Sequence, residues 1–160
     1  MVEIRLNENE QKIVEDIAKK RYSSARAKGF IDIQKSNHSK FKIDHDGFGG
    51  EFAFCKWDNI YPSFITGKTD KWDCVSSDDT KVDVKTTDNQ NGNLLVQGTK
   101  EIDDVDVYFL VIKIINELFN IVGYEDSKNV ICDKAYQLHQ NHPSLKGEGY
   151  FVHRKDLYKV

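Results

Sequence analysis

Thr80-Lys81-Val82-Asp83-Val84-Lys85-Thr86-Thr87 constrains this chain more than any other stretch. Side chains alternate across a β-strand, so Val82 and Val84 face one side while Asp83 and Lys85 project from the other. The valines require a core on their face, and the opposite face presents an acid beside an ammonium. Alone, this pattern also describes a half-solvated strand with an incidental ion pair. The neighbouring sequence has to decide between the two readings.

Just upstream, Lys71-Trp72-Asp73-Cys74-Val75-Ser76 has strand character, and Ser77-Asp78-Asp79 is a turn. A tight turn centred near Asp78 makes Asp73 and Asp83 antiparallel neighbours on one face, with Cβ atoms about 4.5–5.5 Å apart. Like charges directly opposite each other are destabilising unless a cation or protons bridge them. A slip of one residue would turn one strand's side chains to the other face. Before this hairpin, Gly47-Phe48-Gly49-Gly50-Glu51 opens a helical stretch that runs through Phe52, Ala53, Cys55, Trp57 and Ile60 to Pro62. Glu51 is expected in its first turn, where a carboxylate interacts favourably with the helix dipole. Phe52 stands where a dinucleotide fingerprint needs its third glycine, and no strong strand precedes the turn, which argues against phosphate binding there.

The remaining segments supply the scaffold. From Glu8 to about Lys28, Ile13, Val14, Ile17, Ala18, Tyr22 and Ala25 recur at helical spacing, and Gly29 is expected to stop the helix. Its Lys19, Lys20, Arg21, Arg26 and Lys28 either meet phosphates or form a solvated face balanced by Glu10, Glu15 and Asp16. Phe30 to Asp46 reads as a loop or weak strand. Leu94-Leu95-Val96 is expected to complete a three-stranded meander. Lys100 to Asp106 is an acidic loop without the spacing and glycine of a calcium loop. Val107 to Ile115 is long, apolar and rich in β-branched residues, so it reads as a central strand buried on both faces, with a helix as the alternative. Phe119 to Tyr124 follows as a further strand after a polar break at Asn116-Glu117. Ser127 to His139 reads as a shorter helix, His139 and His142 as loop histidines rather than metal ligands, and Gly147 to Val160 as a final strand or docking tail.

With 160 residues and no repeat or linker, residues 1–160 are expected to form a single domain, with the core at about 47–124. A net charge of −3 and a pI near 5.9 exclude a generally basic nucleic-acid coat and leave room for a local basic face. Cys55, Cys74 and Cys132 are odd in number and form no CxxC, so reduced thiols are expected. No signal peptide or membrane span is legible, which fits a cytoplasmic protein, and the Asn37-His38-Ser39 triplet reads as chance.

Asp73, Asp83 and Glu51 offer hard oxygen donors. Mg²⁺ prefers such ligands, keeps several waters, and needs only one or two carboxylates plus a substrate phosphate. The carbonyl of Val84 can add an oxygen. Lys85 beside such an ion can orient the attacking water or stabilise developing negative charge. Glu51 on a helix, Trp72-Asp73 on a first strand and Asp83-Val84-Lys85 on the next resemble the PD-(D/E)XK superfamily of restriction-endonuclease-like nucleases. Thr86-Thr87, Val107 to Val111 and Ile121-Val122-Gly123-Tyr124 are similar to its small phage or bacterial members. The resemblance implies an α/β fold with an α-β-β-β-α-β core and a mixed central sheet flanked by helices. It implies a metal-dependent endonuclease acting on DNA with Mg²⁺, Mn²⁺ substituting. Carried over by position, Asp73 and Asp83 match the metal-binding acids, Lys85 the catalytic lysine and Glu51 the helix-borne glutamate. No proline precedes Asp73, and Asp70 competes with it for the first acid. Lys40, Lys42, Lys68 and Lys71 are the expected DNA contacts, and a homodimer is compatible with cutting both strands. Two other readings stand beside this one: a silent binding module on the same scaffold, and a hydrolase of nucleotides or small phosphates.

Overall fold

The computed structural model describes residues 1–27, 39–65, 70–135 and 149–160. A five-stranded mixed sheet forms the centre. Its order is β1 (Val2–Arg5), β6 (Leu118–Asp126), β5 (Val107–Ile115), β3 (Lys81–Thr87) and β2 (Cys74–Val75). β3 and β5 run parallel and the other neighbours antiparallel. The central position of β5 follows from its composition: Tyr108 to Lys113 are all buried, as a strand covered on both faces must be. The polar break at Asn116-Glu117 is the two-residue turn between β5 and β6.

On one face lies α2 (Lys40–Trp57), with α1 (Glu8–Ala27) packed against it. Val14, Ile17, Phe52, Phe54, Val82, Val84, Phe109 and Val111 share the core on this side. Asn7 starts α1: its side chain accepts the amides of Asn9 and Glu10 at 3.0 Å, while Glu10 accepts the Asn7 amide at 2.7 Å. This reciprocal arrangement satisfies donors that a helix end leaves open. The other face carries β4 (Leu94–Gln97) and β7 (Gly149–Val152), paired in a separate two-stranded sheet, and the short α3 (Ser127–Val130). Leu94, Val96, Val130 and Leu157 pack there on Tyr108, Leu110 and Ile112.

Three expectations are corrected. β4 does not continue a meander, because β5 occupies the edge of β3 that a third hairpin strand would need. Instead β4 passes beneath the sheet and buries Leu94 and Val96 completely. The described residues between β3 and β5 therefore contain β4 and turns where the α-β-β-β-α-β order has a helix. The protein is mixed α/β, with β5 at the centre of its sheet as its sequence predicts.

α2 begins at Lys40, well before Gly47, so residues 40–46 are helical rather than loop or weak strand; Ser39 caps it, its hydroxyl accepting the Lys42 amide at 3.2 Å. The glycines lie inside the helix, and Gly49 and Gly50 serve close packing. A Cβ on Gly49 would come within 2.7 Å of the Phe119 ring, and one on Gly50 would overlap the Thr86 hydroxyl. Glu51 is accordingly a mid-helix residue and has no first-turn dipole role.

The helix from Ser127 ends at Val130. Its expected continuation to His139, the pair His139 and His142, the stop at Gly29 and the Asn37-His38-Ser39 triplet lie wholly or partly outside the described residues. Among those described, no helix is long and apolar enough to cross a membrane.

Lys113 interrupts the apolar run of β5 and is only 7% exposed. Its ammonium pairs with Asp46 on α2, which also takes Lys42 at 2.5 Å; Lys42 in turn reaches Asp88 at 2.8 Å. Burial pushes the Asp46 carboxyl up, but His45, Lys113 and Lys42 outweigh it and hold the group well below the usual carboxylate range. A depressed folded-state pKa contributes stability that is present above the unfolded value, about 3.9, and lost as pH falls below it. Asp46→Asn is therefore expected to flatten the acid limb of stability measured by urea unfolding from about pH 5 down to about pH 2. An acid limb as steep as that of the wild type would contradict this role.

Candidate functional site

The site lies where β2 ends and leaves the edge of β3 open. The β2–β3 register pairs Val75 with Lys81 and Cys74 with Val82, and Asp73 lies just before the paired residues. Two hydrogen bonds hold it to β3. The Asp73 amide donates to the Val82 carbonyl at 2.8 Å, and the Asp73 carboxylate accepts the Val84 amide at 2.7 Å. Asp73 thus brackets Asp83 from both sides. Its carboxylate takes the place in the ladder that a backbone carbonyl would hold, so it turns toward the strand edge. Directly opposed acids were expected; the hydrogen bonds show Asp73 bound to the backbone on either side of Asp83.

Asp83 is 2% exposed, which removes the half-solvated reading of β3. Its cross-strand partner on β5 is Tyr108, and that of Lys85 is Leu110, so the charged face of β3 is walled by the second core. One Asp83 oxygen pairs with Lys85 on the same strand, and the other with Lys100 at 2.8 Å. Burial pushes the Asp83 carboxyl up, but the two lysines hold it below its ordinary value. For Lys85, burial pulls the ammonium down, while Asp83, Asp73 and Glu51 hold it above its ordinary value. Lys85 is therefore a cation at neutral pH, a point the sequence left open.

Glu51 enters from α2 through the close α2–β3 crossing at Gly50 and Thr86. Arg21 of α1 grips it in a fork, Nη1 to Oε1 at 2.7 Å and Nη2 to Oε2 at 2.8 Å. The guanidinium also lies 4.4 Å from the centroid of the Phe48 ring. Paired, stacked geometry of this kind suits arginine and not lysine. Asp73 is the acid under greatest electrostatic pressure. Burial pushes its carboxyl well up, Glu51 and Asp83 push it further, and Lys85 and the Val84 amide oppose them only in part.

The donors are oxygens, as Mg²⁺ and Mn²⁺ require. In an extended strand the N–H and C=O of one residue point the same way, so the Val84 carbonyl faces the edge that Asp73 occupies. Asp73, Asp83 and the Val84 carbonyl are the oxygens that a hydrated ion would use. In this arrangement both Asp83 oxygens are engaged by Lys85 and Lys100, and both Glu51 oxygens by Arg21. Among the described residues no group of three or more acidic, histidine or cysteine side chains is arranged to hold a metal.

Of the expected DNA-contacting lysines, Lys42 is engaged by Asp46 and Asp88, and Lys71 by Asp104 at 2.7 Å. Lys40 is exposed at the start of α2, and Lys68 lies outside the described residues. Cys55, Cys74 and Cys132 are all free thiols. Contact with Cys55 and then burial push the Cys74 thiol up, so it stays protonated beneath the site.

Sequence reasoning missed two residues of the cluster. Arg21 carried a signal, since it falls in phase with the buried Val14, Ile17 and Ala18 of α1, where a solvated arginine does not belong. Lys100 carried none, as its position depends on how the β4–β5 loop returns to β3. Compared with protein-family models, with curated proteins and with solved structures, the chain matches none.

Proposed function

We propose that the chain is a divalent-cation-dependent phosphodiesterase that cuts DNA, with Asp73 and Asp83 as the metal-holding acids and Lys85 as the catalytic cation. The observation that carries this reading is Asp73 hydrogen-bonded to the residues on both sides of Asp83, with the Lys85 ammonium on Asp83. A cation bound there supplies neutralisation of the scissile phosphate and a water of lowered pKa. Asp73 contributes a carboxylate already crowded by negative charge, a condition that a cation relieves. Lys85, held protonated, stabilises the charge that develops on the phosphate oxygens and leaves no base to assign to its own nitrogen. The Arg21–Glu51 fork fixes α2 against α1 and keeps a second acid within reach of Lys85.

One observation favours a second reading, a silent module on this scaffold. Glu51 and Asp83 are already neutralised by Arg21, Lys85 and Lys100. A substrate panel separates the readings: supercoiled plasmid, single-stranded DNA and bis(p-nitrophenyl) phosphate, each with Mg²⁺, Mn²⁺ or EDTA. The proposal expects DNA cleavage with either metal and none with EDTA. Hydrolysis of the small ester alone would point to a small-phosphate hydrolase, and no turnover at all to the silent module. Lys85→Ala is expected to lower the cleavage rate by about 10²-fold or more while Mn²⁺ binding by calorimetry is retained or tightened. Full activity in that variant would remove Lys85 from the chemistry.

A further inference from the structure

Lys100 has no chemical role in the proposed cleavage, yet it shares Asp83 with Lys85. Its ammonium reaches the second Asp83 oxygen at 2.8 Å and donates to the Lys71 carbonyl at 2.5 Å. Lys71 returns the contact to the same loop, its own ammonium meeting Asp104 at 2.7 Å. The other Asp104 oxygen accepts the Glu101 amide at 2.9 Å, and the Lys100 amide donates to the Gln97 carbonyl at 3.1 Å. These bonds form a clasp between the segment leading into Asp73 and the loop that carries Lys100. The clasp holds a positive charge on the one Asp83 oxygen that Lys85 does not take.

We infer that Lys100 is a resident cation of this site, competing with a divalent ion for Asp83 and thereby setting how much metal the protein requires. This rests on the reading of Asp73 and Asp83 as metal-holding acids. The argument is one of charge and space. Asp83 is buried and carries one ammonium on each oxygen, so a divalent ion approaching that carboxylate meets the repulsion of both. Lys85 is fixed by its place on β3, two residues along the same face. Lys100 comes from a loop and is the ammonium that can yield. Its ammonium can therefore leave Asp83 without moving the β3 backbone.

The test is Mn²⁺ titration by calorimetry of the full chain, wild type against Lys100→Met, Lys100→Gln and Lys100→Arg, with Lys19→Met on the exposed face of α1 as control. Circular dichroism confirms that each is folded. Loss of a unit charge within a few ångströms of the ion is expected to tighten Mn²⁺ binding about tenfold or more in the Met and Gln variants. Lys100→Arg and Lys19→Met should stay within about twofold of wild type. Mn²⁺ binding to the Met and Gln variants but not to the wild type would support the inference in its strongest form. Equal affinity across all five proteins would overturn it while leaving the metal site standing. If no protein binds Mn²⁺, the reading of Asp73 and Asp83 fails and the role of Lys100 falls with it. Should Lys100→Met fail to fold, Lys100→Gln, which keeps a donor for the Lys71 carbonyl, gives the same comparison.

Discussion

Asp83→Asn is expected to abolish metal-dependent cleavage, lowering the rate by about 10³-fold or more, and to destabilise the protein as well. The two effects have one source. Asp83 touches two ammonium groups, and it is almost fully buried. Its replacement by a neutral isostere removes a metal-holding carboxylate and leaves Lys85 and Lys100 facing an amide. Removing one partner of a buried ion pair costs about 3–5 kcal/mol, because the charge left behind has lost its compensation. Cleavage must therefore be compared below the melting temperature of the variant, with folding checked by circular dichroism. A folded Asp83→Asn protein that cuts DNA as well as the wild type would mean that the chemistry lies elsewhere. A variant as stable as the wild type would mean that the lysines find other partners.

Gly50→Ala tests how Glu51 reaches the site. Alanine in place of a helical glycine ordinarily stabilises by about 1 kcal/mol, so propensity alone predicts a gain. Here the added methyl would overlap the Thr86 hydroxyl at the point where α2 crosses β3. Overpacking of this kind costs about 1–3 kcal/mol, and the net result is expected to be destabilising. The displaced helix would also draw Glu51 and its Arg21 fork away from Lys85. Thr86→Ala clears the hydroxyl and methyl that the new Cβ would meet, so the double variant should regain most of the loss. A coupling on the order of 1 kcal/mol in the double-mutant cycle is the expected signature of direct contact. Simple additivity, or a Gly50→Ala protein more stable than the wild type, would show that the crossing is looser than described.

The alternation of Val82, Asp83, Val84 and Lys85 was enough to place β3, because a period of two has only one structural meaning over that length. The turn residues Ser77 to Asp79 were enough to set the register that brings Asp73 to Asp83, and the apolar length of β5 to make it central. Elsewhere local signals misled. Gly47, Gly49 and Gly50 read as a helix start because glycine weakens a helix interior, whereas Gly49 and Gly50 admit close contact with Phe119 and Thr86, which lie far away in sequence. β4 is an ordinary short strand whose partner, β7, was invisible until the chain had folded back on itself. The site divides in the same way. Asp83 and Lys85 sit on a strand with clear periodicity, so their shared face was legible. Arg21 was legible in hindsight from helical phase, and Lys113 from its place in an apolar run. Lys100 depends on a loop clasped by Lys71 and Asp104, and no local pattern encodes that.

The central claim is that Asp83 holds a divalent cation that drives phosphodiester cleavage. Its most direct measurement is the Mg²⁺ dependence of supercoiled-plasmid cleavage by folded wild-type and Asp83→Asn proteins, purified in parallel. The account predicts conversion that rises with Mg²⁺ and is stopped by EDTA for the wild type, and no conversion at any Mg²⁺ concentration for the variant. Cleavage that ignores EDTA, or that proceeds equally in the two proteins, would contradict it.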